Sequence, residues 1–161
     1  MASTGNNVLT KGIPELVDAF VVMVKTEWNA HLVDRLEQGC IKIFQAAGVQ
    51  FETLVVPGAV ELPFAVQRYQ AVADRKADAF ITLGTVIQGG TPHFEYVCQM
   101  VSEGVTKLNL TLPVPVIFGV LTLNNEQEAI ERTGGIHGHK GEEAAITALK
   151  MIELNRKLTG S

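Results

Sequence analysis

The chain has 161 residues, 47% of them apolar and 19% charged, which is typical of one globular domain with its own core. The net charge of −4 at pH 7 excludes nucleic acid as the main partner, because binding to a phosphate backbone requires a basic face. No apolar run approaches the roughly 18 residues that would cross a membrane. The start of the chain, MASTGNNVLTKG, lacks the apolar centre of a secretory signal. We therefore expect a cytoplasmic protein whose two cysteines are buried, unpaired thiols.

Alternating strands and helices are predicted after residue 18. Residues 1–18 carry little pattern and are predicted to be a tail or an added edge strand, whereas residues 19–161 form a single domain. The four predicted strands are Ala19–Val24, Gln50–Val56, Ala79–Leu83 and Val116–Leu121. The five predicted helices are Ala30–Ala47, Leu62–Ala73, Pro92–Leu108, Glu126–Arg132 and Glu142–Leu158. This alternation predicts an α/β fold, a three-layer α/β/α sandwich around a four-stranded parallel sheet.

The loops after these strands carry the residues of chemical interest. In a parallel sheet, ligands bind outside the carboxyl ends of the strands. We therefore expect one site where four loops meet, at Glu27–Asn29, Pro57–Glu61, Thr85–His93 and Thr122–Asn125.

A glycine pair lies between the third strand and the third helix, in the sequence LGTVIQGGTPHFEYVCQ. Gly89 and Gly90 allow close approach of the backbone, and Thr91 is predicted to be the N-cap before Pro92. A helix N-terminus of this kind suits a phosphate. The segment matches neither the P-loop nor the dinucleotide-binding motif, so a tight turn is the alternative interpretation.

Four side chains near this edge have both a chemical and a structural interpretation. His93 is either a proton shuttle beside a bound anion or an exposed first-turn residue. Trp28 either stacks on a flat heteroaromatic ring or covers the core. Glu61 either accepts hydrogen bonds from a substrate or complements the helix dipole, and Arg132 is either a phosphate clamp or a solvated helix-end cation.

A metal site is not expected. His137 and His139 are separated by one residue and have no third ligand nearby in the sequence. Lys140, next to them, has two interpretations: it binds an anion or a carbonyl group, or it is solvated.

Several stretches together resemble one family, the 6,7-dimethyl-8-ribityllumazine synthases. They occur in the order and spacing of that family and cover nearly all of the chain after about residue 18. The matching stretches are Trp28-Asn29, VPGAVELPFA (56–65), LGTVIQGGTPHFEYVC (83–98), PVIFGVLT (115–122) and ERTGGIHGHKGEEAA (131–145).

The resemblance implies a flavodoxin-like fold and a condensation reaction in riboflavin biosynthesis. The two small-molecule substrates are 5-amino-6-ribitylaminouracil and 3,4-dihydroxy-2-butanone 4-phosphate, and the products are 6,7-dimethyl-8-ribityllumazine, phosphate and water. The family uses no metal and no organic cofactor. Its members form homopentamers with active sites between subunits, and some assemble into a sixty-subunit icosahedral shell; an association with riboflavin synthase is a further implied partner.

The resemblance also implies a role for each site residue. His93 is the acid–base residue. The implied phosphate-binding residues are Gly89, Gly90, Thr91 and Arg132, with Arg132 from a neighbouring subunit. The implied residues for the pyrimidine and its ribityl chain are Trp28, Asn29, Ala59, Val60, Glu61, Val86, Ile87 and, from the neighbour, Phe118 and Lys140.

Three positions depart from the family pattern. Val60 stands where many relatives have an aromatic residue, which thins one wall of the ring pocket. Gln88 replaces a frequent arginine, and Pro92 replaces a common threonine. A flavin-binding protein without catalysis, an unrelated phosphate-binding module and a structural shell protein are the rival hypotheses.

Overall fold

A computed structural model describes residues 12–16 and 18–160 of the chain. Its centre is a parallel sheet with the strand order β2-β1-β3-β4. The strands are β1 (Phe20–Thr26), β2 (Gln50–Val56), β3 (Ala79–Ile87) and β4 (Val116–Leu123). The predicted α/β fold is confirmed, and β3 and β4 extend beyond their predicted ends. These extensions carry the strands to the edge where the candidate site lies.

Five α-helices flank the sheet in the described part of the chain. They are α1 (Ala30–Ala47), α2 (Leu62–Val72), α3 (His93–Thr111), α4 (Glu126–Arg132) and α5 (Lys140–Thr159). The prediction that Thr91 caps α3 is wrong, because Pro92 already has helical dihedrals and occupies the N-cap position. By contrast, Asn125 caps α4, since its side chain accepts a hydrogen bond from the backbone N–H of Glu128 at 3.1 Å.

The sheet is buried on both faces, which gives three layers. Val21 and Met23 of β1 pack with α1 and α5 in one apolar cluster. Their neighbours Val22 and Val24 pack with α2 and α3 in a second cluster. Because successive side chains of a strand point to opposite faces, one apolar run serves both cores.

Helices α1 and α5 approach each other closely at Gly141. A Cβ atom on this residue would overlap the backbone of Leu36. The Cys40 thiol donates a hydrogen bond to the Gly141 carbonyl at 3.1 Å, and burial raises the pKa of this thiol to about 12. The two cysteines are unpaired, as predicted, but Cys98 is only half-buried.

The glycine-rich stretch before α5, for which no element was predicted, contains a small antiparallel hairpin. Its strands are β5 (Thr133–Gly135) and β6 (Gly138–His139). Gly134 and Gly138 have φ angles of 108° and 76°, which residues with a side chain rarely adopt. The turn chemistry of these glycines forms the hairpin without the apolar alternation that reveals longer strands.

The predicted tail or edge strand at residues 1–18 lies largely outside the described residues. Within it, residues 12–16 and Asp18 form no strand. Leu16 is buried in the core cluster shared with α1 and α5. Asp18 accepts a hydrogen bond from Arg156 at 3.0 Å, which lowers the pKa of its carboxyl group. No helix in the described part of the chain is long and apolar enough to cross a membrane.

Candidate active site

Backbone hydrogen bonds join the loops at the carboxyl edge of the sheet. The N–H groups of Glu27 and Trp28 donate to the carbonyls of Val56 (2.8 Å) and Pro57 (3.1 Å). The N–H of Gln88 donates to Leu123 at 2.8 Å. The loop after β1 is therefore fixed to the end of β2, and the end of β3 to the end of β4, so the edge is a rigid scaffold.

A cavity of about 630 Å³ opens at this edge; we call it the main cavity. Ten of the predicted site residues line it: Trp28, Asn29, Ala59, Val60, Glu61, Val86, Ile87, Gly89, Thr91 and His93. Six further lining residues were missed: Thr26, Thr85, Phe94, Tyr96, Val97 and Met100. A volume of this size and a largely apolar wall are usual for a small-molecule site.

An aromatic ring and a carboxylate meet at one wall of the main cavity. The Trp28 side chain is 72% exposed and so offers its ring to a ligand. A Cβ atom on Gly58 would lie 3.2 Å from Cε3 of Trp28 and 3.1 Å from Oε2 of Glu61. Because Gly58 has no side chain, the indole and the carboxylate fit together over its backbone.

Asn29 has a left-handed backbone conformation, with φ 59° and ψ 36°. It is the N-cap of α1, and its carbonyl accepts hydrogen bonds from Leu32 and Val33. Asparagine tolerates this conformation better than most residues. The turn at Asn29 follows Trp28 directly and connects the end of β1 to the start of α1.

Thr85 lines the same cavity, and its hydroxyl oxygen is buried. Thr85 is 6% exposed, and its Oγ1 atom has no hydrogen-bond partner among the described residues. Burial of an unpaired hydroxyl is unfavourable, so a ligand that bonds to it gains the missing interaction. The position of Thr85 just before the predicted residues Val86 and Ile87, at the end of β3, is the sequence signal that could have identified it.

The N-terminus of α3 also lines the main cavity. Gly89, Thr91 and His93 line the cavity here, whereas Gly90 is exposed and does not. No side chain caps this helix end. The Glu95 N–H donates to the Pro92 carbonyl at 3.0 Å, which leaves the N–H groups of His93 and Phe94 for an anion, next to the His93 imidazole.

One face of α3 forms the apolar part of the cavity wall. His93, Tyr96, Val97 and Met100 follow the i, i+3, i+4, i+7 spacing of one helical stripe, and all four line the cavity. Tyr96 and Met100 are exposed large side chains. Helical periodicity counted from His93 would have identified them from the sequence.

Phe118 and Lys140 line a different cavity of about 360 Å³, here called the second cavity. It lies between β4 and α5 and shares no lining residue with the main cavity. The Lys140 ammonium lies 2.8 Å from both carboxylate oxygens of Glu143. Within one chain, the structure does not bring these two predicted residues to Trp28 or His93.

Arg132 lines neither cavity. Its guanidinium group donates to the backbone carbonyl of Glu128 at 3.0 Å, near the end of α4. Within one chain, the predicted residues Arg132, Phe118 and Lys140 thus lie outside the main cavity.

The histidines of the hairpin form no cluster of metal ligands. No group of three or more histidine, cysteine, aspartate or glutamate side chains is arranged to hold a metal in the described part of the chain. His137 lies 3.9 Å from Glu131. Nδ1 of His139 is buried without a partner among the described residues, and burial lowers the pKa of this imidazole.

Sequence comparison gives the relatives of this chain. The model of the family described as 6,7-dimethyl-8-ribityllumazine synthase matches residues 18–156. Proteins with that name are 40% identical in Parabacteroides distasonis (89% of this chain and 90% of the relative), 43% in Porphyromonas gingivalis (91% of each) and 41% in Christiangramia forsetii (97% and 96%). With its parallel sheet, its main cavity and these matches, the chain belongs to the 6,7-dimethyl-8-ribityllumazine synthase family.

Proposed function

We propose that the chain condenses 5-amino-6-ribitylaminouracil with 3,4-dihydroxy-2-butanone 4-phosphate to give 6,7-dimethyl-8-ribityllumazine, phosphate and water. The observation that carries this proposal is the set of groups that line the main cavity together. These are the Trp28 ring, the Glu61 carboxylate and an uncapped helix N-terminus with His93. A flat polyhydroxy substrate suits the ring and the carboxylate, and a phosphate ester suits the helix N-terminus.

The roles of the residues follow from this placement. Trp28 stacks on the pyrimidine, Ala59 and Glu61 hold the ribityl chain, and the Thr85 hydroxyl bonds to a polar group of the ring. Thr91 and the first-turn N–H groups of α3 hold the phosphate. Both substrates lie in one cavity, so their reacting groups are already next to each other. This positioning supplies much of the rate acceleration, because it removes the entropy cost of bringing two molecules together.

The chemistry needs proton transfers at one place. The amino group of the pyrimidine attacks the ketone, and loss of water gives a Schiff base. Elimination then releases phosphate and leaves an enol, which becomes a ketone. The ribitylamino nitrogen attacks this ketone, and loss of a second water closes the ring of the lumazine. His93, at the helix N-terminus that suits the phosphate, gives and takes the protons in these steps. A positive environment around the phosphate stabilises it as a leaving group.

The site is proposed to be complete only between two copies of the chain. The second copy would supply Phe118 and Lys140 to the ring and Arg132 to the phosphate, which accounts for their separation from the main cavity within one chain. We propose a cytoplasmic homopentamer whose subunit is one domain, residues 19–161.

The test is direct. Purified protein is mixed with both substrates, and the absorbance of the lumazine product is followed over time, with the sedimentation of the same sample measured in parallel. Turnover by an oligomer supports the proposal. An intact oligomer that gives no product contradicts it, and a protein that then binds flavin tightly would be a binding protein without catalysis.

A further inference from the structure

The second cavity contains an ion pair between Lys140 and Glu143. Lys140 and Glu143 are one turn apart on α5, and both carboxylate oxygens lie 2.8 Å from the ammonium nitrogen. The side chains are only 18% and 27% exposed, and Phe118 lines the cavity beside them. This pair is therefore shielded from solvent more than most surface ion pairs.

Glu143 lies on α5 beside the hairpin. Its backbone carbonyl accepts a hydrogen bond from the Thr147 hydroxyl at 2.7 Å. Its Oε1 atom would lie 3.6 Å from a Cβ atom on Gly138, an ordinary van der Waals distance. The ammonium thus meets the Glu143 carboxylate on one side.

This geometry limits what Lys140 can bind. A lysine ammonium has three N–H donors and no acceptor, and Glu143 takes two of the three. The charges of the pair cancel, and a bound anion would meet the carboxylate as well as the ammonium. The remaining N–H suits an uncharged oxygen, such as a carbonyl or a hydroxyl group.

We infer that Glu143 is a positioning residue, which holds the Lys140 ammonium as a hydrogen-bond donor to an uncharged oxygen of the pyrimidine substrate and keeps phosphate away from it. This inference rests on the proposed function, in which Lys140 completes the site of a neighbouring copy. In this inference the two cationic side chains have different ligands. Lys140 donates a hydrogen bond to an uncharged oxygen. Arg132, whose guanidinium donates to a backbone carbonyl, binds the phosphate.

The test replaces Glu143 by glutamine in the assembled protein. Glu143→Gln leaves the ammonium charged but no longer balanced. We expect the KM for the pyrimidine to rise about tenfold while kcat changes little, because a hydrogen bond to a charged group is lost from binding rather than from a chemical step. Inorganic phosphate should become a stronger inhibitor of the variant, because an unbalanced positive charge faces the site.

The neighbouring residue gives a matched control. Glu142 also pairs with a lysine, Lys42, at 2.8 Å, but Lys42 is 71% exposed and neither residue lines a cavity. Glu142→Gln should leave both KM values and phosphate inhibition unchanged. Glu143→Asp, which keeps the charge on a shorter side chain, should restore resistance to phosphate but recover only part of the pyrimidine affinity.

Two results would overturn the inference: an unchanged KM and phosphate inhibition in Glu143→Gln, or the same small loss in both glutamine variants. Calorimetric binding of the pyrimidine alone provides the same comparison without turnover. A wild-type protein that binds the pyrimidine but makes no product would contradict the proposed function, while the affinities of the variants would still decide the role of Glu143.

Discussion

The indole ring of Trp28 lies so close to Gly58 that a methyl group on that glycine would stand 3.2 Å from Cε3. The same methyl group would stand 3.1 Å from the Glu61 carboxylate. The backbone of Gly58 is extended, with φ −143° and ψ 179°, so its dihedrals do not require glycine. Space for the two neighbouring side chains is the reason for glycine at this position.

Gly58→Ala should therefore weaken substrate binding without unfolding the protein. The new methyl group pushes the indole ring or the carboxylate aside, and we expect the affinity for the pyrimidine to fall roughly tenfold, the scale of a lost aromatic contact. Trp28 is the only tryptophan in the chain, so its fluorescence reports directly on the ring. Unchanged emission and unchanged pyrimidine affinity would contradict this account of Gly58.

Thr85→Val should separate binding from stability. The Thr85 hydroxyl has no partner among the described residues, so its removal should leave the free energy of unfolding within about 1 kcal/mol of wild type. Pyrimidine affinity should fall about three- to tenfold, because the ligand loses a hydrogen bond. Titration of the pyrimidine, followed by calorimetry, measures this change.

Thr82→Val is the matched control for that experiment. Thr82 lies on the same strand and is fully buried, and its hydroxyl donates to the Ile117 carbonyl at 3.2 Å. Its replacement should lower the free energy of unfolding by about 1 kcal/mol and leave affinity intact. If Thr85→Val lowered the free energy of unfolding and left affinity intact, while Thr82→Val lowered affinity, Thr85 would not be a binding residue.

His93→Ala should slow the enzyme without abolishing turnover. Loss of a general acid–base group should lower kcat by about a hundredfold, while the positioning of two substrates in one cavity keeps a measurable rate. His31→Ala is the control, because His31 pairs with Glu126 on the surface and lines neither cavity. Equal kcat values for the two variants would remove His93 from the chemistry.

Mixed oligomers should reveal whether the site is shared. His93→Ala and Arg132→Ala damage opposite surfaces, so coassembly of the two slow variants should restore undamaged sites at about a quarter of the interfaces. Turnover of the coassembled protein is compared with that of the separately purified variants mixed only in the assay. If coassembly brings no gain in kcat, the site lies within one chain.

Stability should fall in mild acid because of His139. Burial lowers the pKa of this imidazole from its ordinary value of 6.5, so the unfolded chain binds the proton first as the pH falls. The stability that neutral His139 contributes is thus present above about pH 6.5. It is lost as the pH falls through the lower pKa that His139 has in the folded protein. Glu142, Lys42 and Arg35 contribute the nearby charges.

His139→Gln tests this dependence, because glutamine does not titrate. Between about pH 7 and pH 5, urea unfolding of the variant should change less with pH than that of the wild type. The carboxyl groups of Asp18 and Glu128, whose pKa values are lowered, titrate below this window and do not obscure it. Parallel stability curves for the two proteins would show that His139 does not control the acid response.

The local pattern was enough to predict the main elements and most of the main cavity. The helix Ala30–Ala47 and the strand Gln50–Val56 have the bounds expected from periodicity and turn residues. Trp28, Glu61 and His93 follow the ends of three different strands, and parallel strands place such residues at one edge. These features depend on short stretches of chain, which the sequence shows directly.

Contacts between distant residues were decided by the fold. The space over Gly58, where Trp28 approaches from another loop, and the unpaired hydroxyl of Thr85 depend on how side chains from separate segments pack. The hairpin before α5 also escaped prediction, because glycines at positive φ carry no apolar periodicity.

Local sequence patterns were sufficient to predict an α/β protein. They also predicted a helix N-terminus that suits a phosphate and an aromatic residue at the same edge of the sheet. The tertiary structure decided which of these residues share a cavity. The order of strands places β4 at one side of the sheet, and α5 packs on the opposite face from α3. Phe118 and Lys140 therefore line a cavity between β4 and α5 that shares no residue with the main cavity, because strand order depends on contacts between distant segments and not on sequence spacing.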